Sequence, residues 1–131
     1  MDIQAAHTRL LVADVGTCAK FYRDILGFTP VTEDIERGYA EFEIANMRLS
    51  LFRKHEMAEI LRTIDKPATA DCQDRMVFIL KVHDLDSIYH QLRHKGVTFV
   101  ESPTQNTDFA LKVAYCRDPE DNLIGFFEPM M

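Results

Sequence analysis

Hydrophobic and polar positions along the chain follow two rhythms, and the change from one to the other happens twice. Residues 7–15 (His-Thr-Arg-Leu-Leu-Val-Ala-Asp-Val) and 77–85 (Val-Phe-Ile-Leu-Lys-Val-His-Asp-Leu) carry the dense apolar pattern of a short strand. After Asp14 and Asp84 the spacing lengthens. Cys18, Phe21, Tyr22 and Ile25, and then Leu85, Ile88, Tyr89 and Leu92, fall at i, i+3, i+4, i+7, the apolar stripe of a helix. Each Asp suits an N-cap, because its carboxylate accepts an orphaned backbone N–H. Each helix then meets a glycine, Gly27 or Gly96, where a C-cap needs left-handed backbone. Strand-like runs return at 28–33, 39–44 and 47–53, and again at 97–101, 109–116 and 122–128. Ala45-Asn46 predicts a tight turn. Asp118-Pro119-Glu120-Asp121-Asn122 predicts another, with Pro presetting φ and Asp and Asn tolerating left-handed backbone.

Val12 and Val82, like Asp14 and Asp84, stand 70 positions apart. The chain therefore reads strand, helix, strand, strand, strand twice, an α+β architecture of two βαβββ modules, 7–53 and 75–129, within one domain spanning 1–131. Between them, 54–74 predicts a linker with one short helix. Met57, Ile60, Leu61 and Ile64 form its apolar face, and Lys66-Pro67 ends it.

A length of 131 residues suits a single core, and 47% apolar against 27% charged residues excludes a disordered chain. A net charge of −6 argues against a general nucleic-acid binder. No run approaches the roughly 18 apolar residues of a membrane span. The opening Met-Asp-Ile-Gln lacks a secretion pattern. Cys18, Cys72 and Cys116 are odd in number and lack Cys-x-x-Cys spacing, so free thiols in a reducing cytoplasm are expected.

Two βαβββ units at this spacing resemble the vicinal oxygen chelate superfamily of glyoxalase I, extradiol dioxygenases, fosfomycin-resistance enzymes and bleomycin-resistance proteins. "HTRLLVADVGTCAKFYRDILGF" (7–28) and "VAYCRDPEDNLIGFFE" (113–128) look like that superfamily's opening and closing segments. The resemblance implies two cupped mixed sheets, a site on their concave faces and a homodimer. It also implies four metal-ligand positions, which fall here at His7, Ser50, Val77 and Gly125. One of the four is a good ligand. Serine is a poor donor for Zn²⁺, Ni²⁺ or Fe²⁺, valine and glycine have none, and catalytic sites normally need about three protein ligands.

Strand alternation turns His7, Arg9, Arg48, Ser50, Phe52, Arg75, Val77, Gly125 and Phe127 toward the cups, with Tyr115 adding a hydroxyl. Guanidinium groups, an imidazole and aromatic walls suit a small, anionic, partly apolar organic ligand. The expectation is thus a metal-independent binding protein that sequesters or senses such a ligand, with no cofactor and no nucleic-acid or membrane partner. The alternative is a metal-dependent glyoxalase-like lyase or isomerase, or a dioxygenase, in which His7 recruits Glu41, Glu43 or Glu128. Gly125 poses a question of its own, since glycine within a strand often marks close approach of a ligand or another backbone.

Overall fold

The computed structural model describes residues 1–67, 73–74 and 76–130, which fall into two compact units, 1–71 and 72–131. Arg75 and Cys72 lie outside the described residues.

In the first unit, β1 (Thr8–Val12) leads into α1 (Val15–Lys20), which continues as a π-helical turn, Phe21–Ile25. Three strands follow: β2 (Thr29–Asp34), β3 (Tyr39–Ile44) and β4 (Met47–Arg53). Their order in the sheet is β1-β4-β3-β2, with β1 parallel to β4 and the other pairs antiparallel. Asp14 caps α1 as its position predicts, its carboxylate accepting from the Thr17 amide at 3.0 Å and the Thr17 hydroxyl at 2.7 Å. Tyr22, Phe42, Leu49 and Leu51 are fully buried between helix and sheet, with Val12 and Cys18. Helix α2 (Lys54–Leu61) follows β4 directly and ends at Arg62, in left-handed conformation at φ 58°.

The second unit repeats the plan. Strand β5 (Phe78–Lys81), helix α3 (Leu85–His94) and strands β6 (Phe99–Asn106), β7 (Leu111–Arg117) and β8 (Leu123–Pro129) give a sheet ordered β5-β8-β7-β6. Asp84 caps α3 through the Ser87 amide at 3.3 Å. The Leu85 amide donates to Glu128 Oε1 at 2.8 Å, tying the end of β8 to the start of the helix. Leu85, Ala114, Cys116 and Ile124 form the innermost core. Burial pushes the Cys116 thiol up to about 12, with Asp118 adding to the shift, so it is a packing residue. Its neighbour Arg117 grips both oxygens of Asp74 at 2.8 Å.

The turn before β8 is organised by Asp118, whose carboxylate is buried. Its Oδ1 accepts from the amides of Glu120 (2.8 Å) and Asn122 (2.9 Å), and its Oδ2 from the Asn122 side chain (2.8 Å). Asp121 takes the left-handed position the turn requires.

Candidate functional site

The face of the first sheet turned away from α1 is set by register. Arg9 lies opposite Ser50 and Ser50 opposite Glu41, while Phe52 lies between Leu11 and Tyr39, and Arg48 opposite Glu43. Directly opposed residues share a face, so Arg9, Ser50, Glu41, Phe52, Tyr39, Arg48 and Glu43 all project to the same side. Pairing of the arginines with Glu41 or Glu43 is the alternative to a ligand-facing role for them, and for Arg48 the structure bears it out. The sheet sets glutamates and arginines side by side, because the two-residue Ala45-Asn46 turn makes Ile44 oppose Met47 and fixes every pair behind it.

The charges on this face are sorted. Glu41 Oε1 accepts from the Tyr39 hydroxyl at 2.6 Å, and its Oε2 from Arg48 Nη1 at 2.7 Å. The Tyr39 bond, then Arg48, holds the Glu41 carboxyl below its usual range, with a smaller pull from His7. The same bond raises the Tyr39 phenol, against a weaker opposing effect of Arg9. Arg48 is thus committed to Glu41.

Arg9 is arranged differently. Its guanidinium lies over the Phe52 ring at 4.9 Å and the Tyr39 ring at 5.8 Å, and its Nε donates to Ser50 Oγ at 3.3 Å. Ser50 is completely buried. Among the described residues no carboxylate pairs with Arg9. Two aromatic rings and a buried hydroxyl therefore orient a fixed positive charge whose terminal amino groups hold no anion. His7 precedes β1 and is exposed.

In the second unit the middle of the corresponding face is apolar, with Lys81, Glu101 and Arg117 toward its margins. Ile79 lies opposite Gly125 and Gly125 opposite Tyr115, with Phe127 beside them and Val77 just before β5. The space left by Gly125 is filled by its own unit. A Cβ there would come within 3.0 Å of both Tyr115 Cε1 and Phe127 Cε1, and the two rings meet edge to face at 6.0 Å.

These donors do not fit a divalent transition metal. Both oxygens of Glu41 are engaged, Glu128 holds the α3 terminus, and Ser50 is bound to Arg9. Among the described residues no three His, Cys, Asp or Glu side chains gather at ligand spacing. His55 pairs with Glu59 on the outside of α2 at 2.8 Å. No helix among them is long and apolar enough to cross a membrane.

The apolar face assigned to the linker helix is largely uncovered: α2 has no buried residue, and Leu61 and Ile64 are 57% and 51% exposed. With Leu11, Met57, Ala58 and Pro67 they line a groove of ≈ 560 Å³.

The family model of the Glyoxalase/Bleomycin resistance protein/Dioxygenase superfamily matches residues 4–126. The chain is 32% identical over 120 residues to the uncharacterized protein YraH of Bacillus subtilis, covering 92% of this chain and 94% of that one. It is 28% identical over 120 residues to the virulence protein STM3117 of Salmonella typhimurium, covering 90% and 78%. A solved structure of a glyoxalase/bleomycin resistance protein/dioxygenase from Nocardioides shares the fold at a TM-score of 0.73 and 23% identity, covering 99% of this chain and 87% of that one.

Proposed function

The chain belongs to the Glyoxalase/Bleomycin resistance protein/Dioxygenase superfamily, and from that premise we propose that it binds a small organic anion on the Arg9 face of its first module without a metal ion. The observation that carries this reading is the state of Arg9. A guanidinium stays charged and matches a carboxylate bidentately. Here it is held on Phe52 and Tyr39 and tied to Ser50, with no carboxylate partner among the described residues. Much of the cost of ordering its long side chain is met before any ligand arrives. Arg48 does not share this role, because Glu41 neutralises it; that pair keeps Glu41 from repelling an anion at Arg9.

The experiment is a titration with benzoate, followed by NMR shifts, on the wild type, Arg9→Gln and Ile79→Gln. Ile79 holds the equivalent place in the second sheet and is 47% exposed, so its replacement leaves the fold intact. Losing a charged hydrogen-bond partner costs about 1.5–3 kcal/mol, so Arg9→Gln should weaken benzoate roughly tenfold or more. Ile79→Gln should leave affinity unchanged. Equal affinity in all three proteins would overturn the assignment. Metal analysis of protein purified without a histidine tag supplies the second test: a near-stoichiometric ion that survives dialysis would replace this reading by a metal-dependent one.

A further inference from the structure

We infer that the groove between β1 and α2 receives the apolar tail of an amphipathic carboxylate whose charged head rests on Arg9. This deepens the anion reading of Arg9 and depends on it. Three observations lead there.

The first is continuity. Arg9 and Leu11 project from the same face of β1, two residues apart, which places them about 7 Å from one another. Leu11 lines the groove and also flanks Phe52, the ring that carries the Arg9 guanidinium. A molecule seated on Arg9 and longer than that separation runs over Leu11 into the groove.

The second is size and lining. At ≈ 560 Å³ the groove lies within the range of small-molecule sites. Its walls are the Leu11, Met57, Leu61, Ile64 and Pro67 side chains. A short helix draws most of its stability from packing an apolar face, yet this helix turns Met57, Ala58 and Leu61 to the groove and buries none of them.

The third is charge. The chain as a whole is acidic at −6, yet among the described residues the titratable side chains lining the groove are basic: Arg53, Lys54, His55 and Lys66. Glu56 pairs with Arg53 and Glu59 with His55. Lys66 makes no ion pair among the described residues, so the mouth keeps an excess of positive charge. An apolar floor with a cationic mouth complements an anion with a tail rather than a neutral hydrocarbon.

Octanoate, 1-octanol and acetate separate head from tail when titrated calorimetrically into the full chain. Octanoate should bind at least tenfold more tightly than either of the others. Arg9→Gln should weaken octanoate at least tenfold and leave octanol unchanged. Ile64→Asp, at an exposed position where the fold tolerates it, should weaken octanoate and octanol alike and leave acetate unchanged. If octanoate binding needs Arg9 but ignores Ile64→Asp, the tail assignment is wrong and the anion seat stands. If octanoate binding ignores Arg9→Gln, both fall. Sedimentation of the same proteins adds a further test. A concentration-dependent association abolished by Ile64→Asp, with no octanoate binding, would assign the groove to a second copy of the chain and overturn the proposal.

Discussion

The two sheets share one backbone plan and use their corresponding faces in opposite ways. The central row of the first is Arg9–Ser50–Glu41, and that of the second is Ile79–Gly125–Tyr115. Both run across a parallel pair and then an antiparallel pair, so every position has a counterpart. The middle residue decides the character of each row. Ser50 puts a buried hydroxyl beside Arg9 and helps fix a charge. Gly125 puts nothing there, and the Tyr115 and Phe127 rings close over the gap. A duplicated scaffold can therefore carry charge in the central row of one face and a glycine closed over by rings in that of the other.

The largest effect that tests this contrast belongs to Gly125. Adding a methyl group against two rings at 3.0 Å is overpacking, so Gly125→Ala should cost about 1–3 kcal/mol in urea unfolding. A Gly125→Ala/Tyr115→Leu double variant should recover part of that loss, because the two sites are in contact. Additive losses would show that the rings yield freely and that glycine there is incidental. A smaller effect is expected at the counterpart, where Ser50→Ala removes one hydrogen bond and should cost about 1 kcal/mol. No loss at all would mean that Arg9 is held by its aromatic neighbours alone.

The smallest effect is one of slope. The Tyr39 hydroxyl and then Arg48 hold the Glu41 carboxyl below its ordinary 4.5 in the folded chain. Its contribution is thus present above the unfolded value and lost as pH falls through the lowered folded one. Glu41→Gln should be less stable than the wild type at neutral pH, and the difference should shrink below about pH 4.5. A difference that stays constant with pH would separate Glu41 from the acid response. The second sheet has no carboxylate in its central row of Ile79, Gly125 and Tyr115 to give such an acid signature.

Much of the fold was legible in the sequence. The strands at 39–44 and 47–53 fall where alternation puts them, as do the Asp14 and Asp84 caps and the left-handed Gly27 and Gly96. Boundaries moved where local signals are mixed. Strand β6 starts and ends later than the 97–101 reading, because Val97 is buried at the helix end and the strand continues through Pro103 by way of irregular pairing. Helix α2 stops at Leu61, short of the expected 64, because Arg62 turns left-handed without a glycine or proline to announce it.

The candidate face was legible only in part of its membership, which lacked Tyr39, and not in its pairing. Alternation put Arg9, Arg48, Ser50 and Phe52 on one face, and the register keeps them there. Counting back from Ala45-Asn46 would also have placed Glu41 opposite Ser50 and Tyr39 opposite Phe52. No count would have shown that Arg48 is spent on Glu41 while Arg9 is not.

The sequence by itself determined the two modules, their caps and turns, and which residues share a face. Those follow from periodicity and backbone preference, which act over a few neighbouring residues. Only the tertiary structure decided which charges cancel, what fills the gap at Gly125 and where the apolar face of α2 lies. Those outcomes depend on distances of about 3 to 5 Å between side chains far apart in sequence, and hydrogen bonding, ring stacking and steric exclusion all change sharply over an ångström.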